Sequence, residues 1–407
     1  MKVLLINNFH YRKGGSEAVY FNTAEVLREY GNEVVFFSYK NEKNLPCEQT
    51  PFFVDAGGKI KQLRSFFYNR EAAHKLEELI NVEHPDVAHV HLIWGGMSPS
   101  ILEVLRQYKI PVVHTAHDYR MVCPAYLLKD GKGKPCERCK GGKFYNCTIN
   151  RCSKGSIIES ILMTMEMYKR NKRYNPTKMF SGVVFVSKFS MKKHIEFDPE
   201  FSNVRSRILY NCPGKQVKDS LDKSLDTFNN YYLFYGRLSA EKGVPTLIKA
   251  FEQLPQLQLK IVGTGPLEEE LKTYCSNHNL NNIEFLGYKN GKDLFDIVAR
   301  AKYVCVTSEC YENNPMTIVE AYSLRTPVIG AAIGGISEVI LDNETGFTFQ
   351  SGNVNSLIVS LKKASRLEKG EYMEQKQRAS DFANQNFSRE CYYQGLLDLY
   401  KECINSK

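Results

Sequence analysis

Two glutamates separated by seven residues, Glu312 and Glu320, have the spacing of carboxylates that could hold one ligand from a loop and from a helix. Glu312 lies in the polar loop 308–315 after the apolar run Tyr303–Val306, and the following residues predict a helix over Met316–Leu324. The first N–H groups of a helix bind anions such as a diphosphate, and carboxylates accept hydrogen bonds from sugar hydroxyls. The spacing also fits a solvated loop residue and a locally paired helix residue.

Basic and glycine-rich turns follow other apolar runs. Arg237 and Lys242 come just after one such run, where their charges could bind phosphate. Gly14–Gly15 follows the first run of the chain, and glycines in such a turn let backbone amides approach an oxygen-rich ligand. Neither this turn nor Gly263–Pro266 has the G-x-G-x-x-G pattern of a dinucleotide site. The alternatives are a solvated pair of cations and an ordinary tight turn.

The apolar runs form two series that alternate with longer helical patterns such as Ala18–Glu29, which is typical of parallel sheets covered by helices. The first series comprises Val3–Ile6, Glu33–Phe37, Val87–His91, Val112–His117 and Val183–Val186. The second series comprises Tyr232–Tyr235, Leu259–Val262, Ile283–Leu286, Tyr303–Val306 and Pro327–Gly330. Open parallel sheets bind ligands beyond the carboxyl ends of their strands, and the residues considered above follow strands in this way, as does His117.

Length and composition fit a globular protein of two or three domains. The chain has 407 residues, of which 43% are hydrophobic and 24% charged, and these values exclude a disordered chain and a single small binding module. The polar stretch 211–230 predicts a linker between the two series. The formal net charge of +9 favours phosphorylated small molecules or anionic lipid surfaces as partners.

The sequence predicts a cytoplasmic protein. It contains no run of about 20 uncharged apolar residues, and the apolar segment after Met1 is too short for a signal peptide. Two basic segments could hold the protein peripherally on the inner face of the cell membrane. Residues 59–70 carry four cations and three adjacent aromatic residues, and the predicted helix Ile157–Tyr168 runs into Lys169–Arg173. The alternative is that these side chains pack within the first domain.

Five of the twelve cysteines lie within residues 123–152. Four of them, Cys123, Cys136, Cys139 and Cys152, have the spacing C-x12-C-x2-C-x12-C, and Cys147 is the fifth thiol. A polar loop with little apolar surface to bury can be folded by a tetrahedral thiolate site, so a structural zinc is one interpretation. A set of packed, reduced thiols is the other.

The segment Glu312–Ala321, followed by Thr326–Ile329, resembles the E-x7-E motif of the family 4 retaining glycosyltransferases. Gly236–Gly243 resembles the donor-phosphate motif of that family, and the segments 261–266 and 285–288 fall in the expected order. The resemblance covers nearly the whole chain. It implies an α/β protein with the GT-B fold, in which two Rossmann-like domains face a cleft.

The resemblance also implies a division of labour between the domains. Residues 1–210 would bind the acceptor and carry the cysteine-rich insert 123–152, and residues 211–386 would bind a nucleotide sugar. A C-terminal helix at about 387–407 would cross back to the first domain.

Site residues are carried over from the family by position. Arg237 and Lys242 would grip the diphosphate of the donor. Glu320 would hold ribose hydroxyls, and Glu312 would orient the transferred sugar. His117 resembles the family histidine beside the reacting sugar, and Asp118 is a candidate base by position alone. Further donor contacts would come from the turns and the helix start, at Gly15, Gly263, Gly265, Met316 and Thr317.

The resemblance implies an enzyme of the hexosyltransferase class that moves a sugar to an acceptor hydroxyl with retention at the anomeric carbon. The family mechanism is usually treated as front-face, with the leaving phosphate helping to deprotonate the acceptor. No D-x-D motif follows a strand, so we expect no divalent cation and no other cofactor in catalysis.

The implied setting is bacterial surface polysaccharide synthesis on a lipid-linked glycan. The alternatives are a glycosyltransferase with a soluble acceptor, such as a sugar phosphate or small metabolite, and a non-catalytic protein that binds nucleotide sugars. A zinc-bearing nucleic-acid binder would need a basic recognition element, and the cysteine cluster lacks the histidines and helix of a common finger. We therefore expect no nucleic-acid partner.

Overall fold

A computed structural model describes residues 1–58, 61, 65–219 and 230–406. The chain forms two compact units. The first comprises Met1–Tyr210 and Tyr392–Lys407, and the second comprises Asn211–Cys391. The last helix therefore begins in the second unit and ends in the first.

The described part of the first unit contains one sheet of six parallel strands in the order β2-β1-β3-β4-β5-β6. The strands are β1 (Lys2–Ile6), β2 (Glu33–Phe37), β3 (Val87–Val90), β4 (Val112–Ala116), β5 (Gly182–Phe185) and β6 (Ser206–Ile208). The central strands β3, β4 and β5 are buried at every residue. Burial on both faces explains why they read as continuous apolar runs.

The second unit repeats this architecture. Its described residues form one sheet of six parallel strands in the order β12-β11-β10-β7-β8-β9. The strands are β7 (Tyr231–Tyr235), β8 (Gln258–Val262), β9 (Ile283–Gly287), β10 (Tyr303–Val306), β11 (Val328–Ala331) and β12 (Gly346–Phe349). The core includes side chains from these strands and from the covering helices, for example Leu247, Phe251 and Leu361.

Helices connect the strands. The described helices of the first unit are α1 (Gly15–Glu29), α2 (Arg70–Glu83), α3 (Ser100–Gln107), α4 (Tyr145–Ile149), α5 (Ile157–Arg173), α6 (Pro176–Met179) and α7 (Lys188–Phe197). Those of the second unit are α8 (Lys215–Asp219), α9 (Val244–Glu252), α10 (Glu268–Asn277), α11 (Gly291–Arg300), α12 (Met316–Ser323), α13 (Ile336–Val339), α14 (Val354–Arg366) and α15 (Lys369–Asn386), and α16 (Arg389–Asn405) joins the two units. Within the described residues, none of the helices combines the length and the apolar character that crossing a membrane requires.

Each sheet contains a point where the chain reverses its direction of travel across the strands. In the first sheet the chain moves from β1 to β2 and returns to β3 on the other side of β1. In the second it moves from β7 through β8 and β9 and returns to β10 on the other side of β7. At such a switch point a crevice opens beyond the carboxyl ends of the two strands. The loops after β7 and β10 therefore border one crevice.

The structure differs from the sequence-based elements at the sheet edges. The edge strands β6 and β12 were not predicted. Ser206–Ile208 is only three residues long and half-buried, so it lacks an apolar run. Helix α1 begins at Gly15 rather than Ala18 and so includes Glu17, an acidic residue favoured in a first turn. Strand β4 ends at Ala116, which leaves His117 in the loop that follows.

The first of the two basic segments packs against the fold where it is described. Lys59, Ile60 and residues 62–64 lie outside the described residues. Phe66 is buried, and Lys61 forms an ion pair with Glu71 at 2.5 Å between Nζ and Oε2. The expectation of a lipid-facing aromatic side chain is therefore wrong for Phe66.

Candidate active site

The switch point of the second sheet brings into direct contact two residues that the sequence predicts to bind the nucleotide-sugar donor. Lys242 follows β7 and Glu312 follows β10, and the Lys242 Nζ lies 2.5 Å from Glu312 Oε1. The Lys242 side chain is 33% exposed and the Glu312 side chain is 16% exposed. Ser308 Oγ donates a hydrogen bond of 2.8 Å to the same carboxylate oxygen. A ligand that binds Lys242 therefore has to compete with Glu312.

Both members of this pair are ionised near neutral pH. Burial acts to lower the pKa of Lys242, but the Glu312 carboxylate raises that pKa above its ordinary value. Burial acts to raise the pKa of Glu312, but the Lys242 ammonium and the Ser308 hydroxyl lower it below its ordinary value. Glu312 therefore presents acceptor oxygens rather than a proton.

Close backbone approaches fix the loops that carry the pair. Gly243 has φ +65°, and a Cβ there would lie 1.9 Å from the carbonyl oxygen of Thr307. Gly334 has φ +61°, and a Cβ there would lie 2.4 Å from the carbonyl oxygen of Glu312. Thr307 Oγ1 also donates to the carbonyl oxygen of Lys242 at 2.8 Å. The distance between the charged groups is thus set by glycines that permit loop contact.

The second glutamate of the motif is held by a tyrosine. Tyr235, the last residue of β7, donates from its hydroxyl toward the Thr317 carbonyl oxygen at 2.8 Å and the Glu320 Oε2 at 3.1 Å. Burial raises the pKa of Tyr235 well above its ordinary value, and the Glu320 charge acts in the same direction. The tyrosine therefore remains a neutral donor that orients Glu320, which is half-buried on α12.

The start of α12 carries two further predicted ligands. Met316 and Thr317 are the first two residues of the helix, and both are half-buried. Pro315 precedes them in an extended conformation, with φ −67° and ψ 128°, so the helix starts abruptly. The positive end of the helix dipole lies at this point, next in sequence to the loop of Glu312.

Arg237 and the two predicted glycines lie on the neighbouring loops after β7 and β8. Arg237 is exposed. A Cβ at Gly263 would lie 1.9 Å from the carbonyl oxygen of Gly236, and one at Gly265 would lie 2.3 Å from that of Leu238. These glycines therefore allow the two loops to pack together, a structural role that the sequence pattern did not indicate.

His117 belongs to a cluster of neutral histidines at the carboxyl end of the first sheet. Its Nε2 lies 2.7 Å from His91 Nδ1, so one imidazole donates and the other accepts. His91 stacks on His89, which contacts Thr115 Oγ1 and the Tyr400 hydroxyl of α16, each at 2.6 Å. Burial lowers the pKa of His117 to about 3. The side chain can exchange hydrogen bonds with a hydroxyl but is not a cationic acid at neutral pH.

The other predicted residues of the first unit lie beside strand ends. Gly15 is exposed at the start of α1, and Glu17 two residues later is buried, which raises the pKa of its carboxyl group. Asp118 Oδ1 accepts the backbone N–H of Arg120 at 2.8 Å and so shapes the turn after His117. Burial raises the pKa of Asp118.

The cysteine-rich insert brings two of its five thiols close together. The Cys152 thiol lies near Cys147 and, by hydrogen bonding, lowers the pKa of the Cys147 thiol below its ordinary value. Within the described residues, however, no three or more His, Cys, Asp or Glu side chains form a group that could hold a metal ion. Zinc at Cys123, Cys136, Cys139 and Cys152 stays a prediction, which metal analysis of protein purified without added zinc would test.

Sequence reasoning missed three residues of these clusters: Tyr235, Ser308 and His91. His91 follows β3 as His117 follows β4, and this parallel was a signal available in the sequence. The sequence indicated only that Tyr235 is a residue of an apolar strand, because its hydroxyl finds its hydrogen-bond acceptors only when α12 packs beside the strand.

Two family models match the chain in succession. The model "Glycosyltransferase Family 4" matches residues 13–135, and the model "Glycosyl transferases group 1" matches residues 218–384, which include the Lys242–Glu312 pair and Glu320. The chain belongs to family 4 of the glycosyltransferases. The resemblance found in the sequence is therefore confirmed.

Relatives of this glycosyltransferase include bacterial and archaeal proteins. An uncharacterized glycosyltransferase of Methanocaldococcus jannaschii is 27% identical over 36% of this chain and 46% of its own length. An uncharacterized 42.6 kDa protein in the cps region of Klebsiella pneumoniae is 23% identical over 83% of this chain and 87% of its own length. The O-antigen chain mannosyltransferase C of Escherichia coli is 26% identical over 44% of this chain and 48% of its own length. The matches thus span less than half of two of these relatives.

Solved structures give the fold of this family member. Sucrose-phosphate synthase from Thermosynechococcus elongatus has a TM-score of 0.70 at 18% identity, with 100% of both chains covered. Anabaena HepE in complex with UDP has a TM-score of 0.66 at 19% identity, covering 98% of this chain and 99% of HepE. The expected GT-B fold is thereby confirmed.

Proposed function

We propose that this glycosyltransferase moves a sugar from a nucleotide-diphosphate donor to an acceptor hydroxyl with retention at the anomeric carbon. The observation that carries the proposal is the Lys242–Glu312 pair at the switch point of the second sheet. Glu320 lies on α12, the helix that begins just after the loop of Glu312. This arrangement offers a cation for phosphate and two carboxylates for hydroxyls, which are the groups a nucleotide sugar presents.

Binding of the donor diphosphate would draw Lys242 away from Glu312. The exposed Arg237 and the amide groups at the start of α12 add positive potential on the same loops. As the bond to the sugar breaks, negative charge grows on the leaving phosphate, and fixed cations stabilise that charge. The carboxylate released by Lys242 becomes available to accept hydroxyl donors from the transferred sugar.

Glu320 is proposed to accept hydrogen bonds from the ribose. The Tyr235 hydroxyl holds one of its oxygens at 3.1 Å, so the carboxylate is oriented before the ligand arrives. His117 is proposed to exchange a hydrogen bond with a sugar hydroxyl as a neutral imidazole. The leaving phosphate is the proposed base for the acceptor hydroxyl, because Asp118, the candidate by position, accepts the backbone N–H of Arg120 through Oδ1.

The donor base is proposed to be uracil, because the structure of HepE, similar in fold, was solved with UDP. We expect UDP and UDP-sugars to raise the unfolding temperature more than GDP or ADP at equal concentration. A ligand at about 100 times its Kd stabilises the folded state by about 2.7 kcal/mol, which corresponds to a shift of several degrees. Differential scanning fluorimetry measures this. A larger shift with GDP would reassign the base, and no shift with any nucleotide would contradict the proposal.

Transfer is proposed to need no divalent cation. Because cations of the protein neutralise the diphosphate, we expect the same rate with excess EDTA as with added Mg²⁺ or Mn²⁺. The measurement is release of nucleoside diphosphate from the donor in the presence of acceptor. Loss of activity in EDTA that Mg²⁺ or Mn²⁺ restores would contradict this part of the proposal.

The acceptor is proposed to be a lipid-linked glycan in bacterial surface polysaccharide synthesis, and the protein to act as a cytoplasmic, peripheral membrane enzyme. The similarity to an O-antigen chain mannosyltransferase and to a protein of a cps region supports this setting. Transfer to lipid-linked acceptors rather than to soluble sugar phosphates is the expected outcome of an acceptor screen. Efficient transfer only to a soluble acceptor would favour the alternative.

A further inference from the structure

Helix α5, Ile157–Arg173, carries a stripe of apolar side chains that face solvent. Ile158 is 75% exposed and Met165 is 57% exposed, and three neighbours are more than 40% exposed. The five are Ile157, Ile158, Ile161, Met165 and Tyr168. At about 100° per residue they fall within an arc of about 100° on the helix surface. They therefore form one continuous face rather than scattered exposed residues.

The short helix α4 extends this face. Its Tyr145 and Ile149, four residues apart, are 50% and 68% exposed. Thr148 of α4 packs on α5, where its Oγ1 lies 3.0 Å from Thr164 Oγ1. The backbone N–H of Tyr145 also donates to the Tyr168 hydroxyl at 3.3 Å. We call the seven exposed side chains of α4 and α5 the apolar ridge.

The inner side of α5 is fixed by a buried charge network, so the ridge is not needed to hold the helix. Glu166 accepts from Arg170 at 2.9 Å and from Arg120 at 3.1 Å, with all three side chains at least 93% buried. The sequence-based expectation that the basic run Lys169–Arg173 meets lipid is therefore wrong for Arg170, and Met167 is buried beside it. Both side chains point into the first unit.

Positive charge flanks the ridge. Lys169 and Lys172 are exposed in the last turns of α5, and Lys172 falls within the arc of the ridge. Lys154, which lies just before the helix, is 82% exposed and forms a surface ion pair of 3.3 Å with Glu159. The two acidic residues of α5, Glu159 and Glu166, lie on the opposite side of the helix. An apolar face with lysines at its ends and no acidic residue along it matches the boundary of an anionic bilayer.

We propose that the apolar ridge docks on an anionic lipid surface. Its side chains would enter the boundary between headgroups and acyl chains, and Lys154, Lys169 and Lys172 would meet lipid phosphates. A second copy of the chain is the poorer partner, because two ridges in contact, parallel or antiparallel, would bring lysines against lysines. The docking proposal rests on the proposed function, because a lipid-linked acceptor would lie at a lipid surface.

The same helix also shapes the loop of His117. Arg170 Nη2 donates to the carbonyl oxygen of Arg120 at 2.7 Å, and the N–H of Arg120 donates to Asp118. The outer side of α5 is thus the docking face, and its inner side holds the turn that follows His117. Docking would place this turn at a fixed height above the bilayer.

Co-sedimentation with vesicles tests the docking. Full-length protein is mixed with vesicles of phosphatidylcholine alone or with added phosphatidylglycerol, without donor or acceptor. We expect binding to the anionic vesicles that weakens as salt increases. The variant Ile158→Gln, Ile161→Gln, Met165→Gln should lose roughly tenfold or more in partition coefficient, because three apolar groups no longer enter the bilayer. Lys169→Gln with Lys172→Gln should lower the partition coefficient about 30-fold, on anionic vesicles only.

A matched control lies on α14 in the second unit. Val359 is 55% exposed, and Lys362 and Lys363 beside it are also exposed. The variant Val359→Gln, Lys362→Gln, Lys363→Gln should leave vesicle binding unchanged. Unfolding temperatures establish that each variant is folded.

Binding that survives the ridge substitutions, or a wild type that never binds anionic vesicles, would overturn the docking proposal. So would a dimer in solution that the ridge variant dissociates. Sugar transfer to a detergent-dispersed acceptor is measured separately, so a failure of the proposed function remains distinguishable from a failure of docking.

Discussion

Replacing Lys242 with alanine is expected to lower kcat roughly 100- to 1000-fold, the usual cost of losing one preorganised charge contact to a transition state. The leaving phosphate would lose a cation at the moment its charge develops. Glu312 would be left without its ammonium partner, only 16% exposed, and its pKa would rise. Arg237→Ala and Glu320→Ala are expected to lower kcat in the same direction. Initial rates at saturating UDP-sugar, with thermal unfolding as a check on folding, measure the effect.

A second ion pair of the same unit provides a control for this experiment. Lys260 Nζ lies 3.4 Å from Glu284 Oε2, and the Lys260 side chain is 33% exposed, the same fraction as that of Lys242. Lys260→Ala removes a lysine of equal exposure from the pairing of β8 with β9 and is expected to change kcat less than about twofold. If Lys242→Ala were as active as Lys260→Ala, Lys242 would not contact the donor phosphates and the assignment of the site would fail.

Acidification is expected to unfold the first unit before the second. Six histidines of the first unit have pKa values lowered by burial, to about 4 for His10 and His194 and to about 3 for His89 and His117. Burial also lowers the pKa values of the remaining two, His91 and His114, well below the ordinary value. The unfolded chain takes up protons near pH 6.5 and the folded unit does not, so stability is lost as the pH falls from about 6.5 toward about 4. At pH 5 an imidazole whose pKa falls from about 6.5 in the unfolded chain to about 4 or below in the folded unit lowers the free energy of unfolding by about 2 kcal/mol.

Fluorescence isolates this transition, because Trp94 is the single tryptophan of the chain and lies in the first unit. Urea unfolding followed by its emission should shift to a lower midpoint between about pH 7.5 and about pH 5. His194→Gln removes one buried neutral imidazole and should reduce the pH slope by about one proton. His278→Gln, an exposed position of the second unit, should leave the slope unchanged. A Trp94 transition that does not depend on pH in this range would show that the histidines bind protons equally in both states.

The sequence by itself determined the fold class and the order of the motifs. Buried parallel strands such as β3 and β10 have to be continuous apolar runs, because helices cover both of their faces. This constraint is local, so it can be read one segment at a time, and the E-x7-E spacing is local in the same way. The edge strand β6 was not predicted, because it is short and half-buried and therefore has no continuous apolar run.

Tertiary structure alone decided which of the predicted residues meet. Lys242 and Glu312 are 70 positions apart and Tyr235 and Glu320 are 85 apart, so their contacts depend on β7 and β10 being neighbours in the sheet. The exposed face of α5 was likewise settled by packing, because a helical pattern of mixed apolar and basic residues does not say which side the buried Glu166–Arg170 pair will occupy. Strand order and helix rotation are set by the free energy of burying whole faces against each other, and no single segment of sequence contains that quantity.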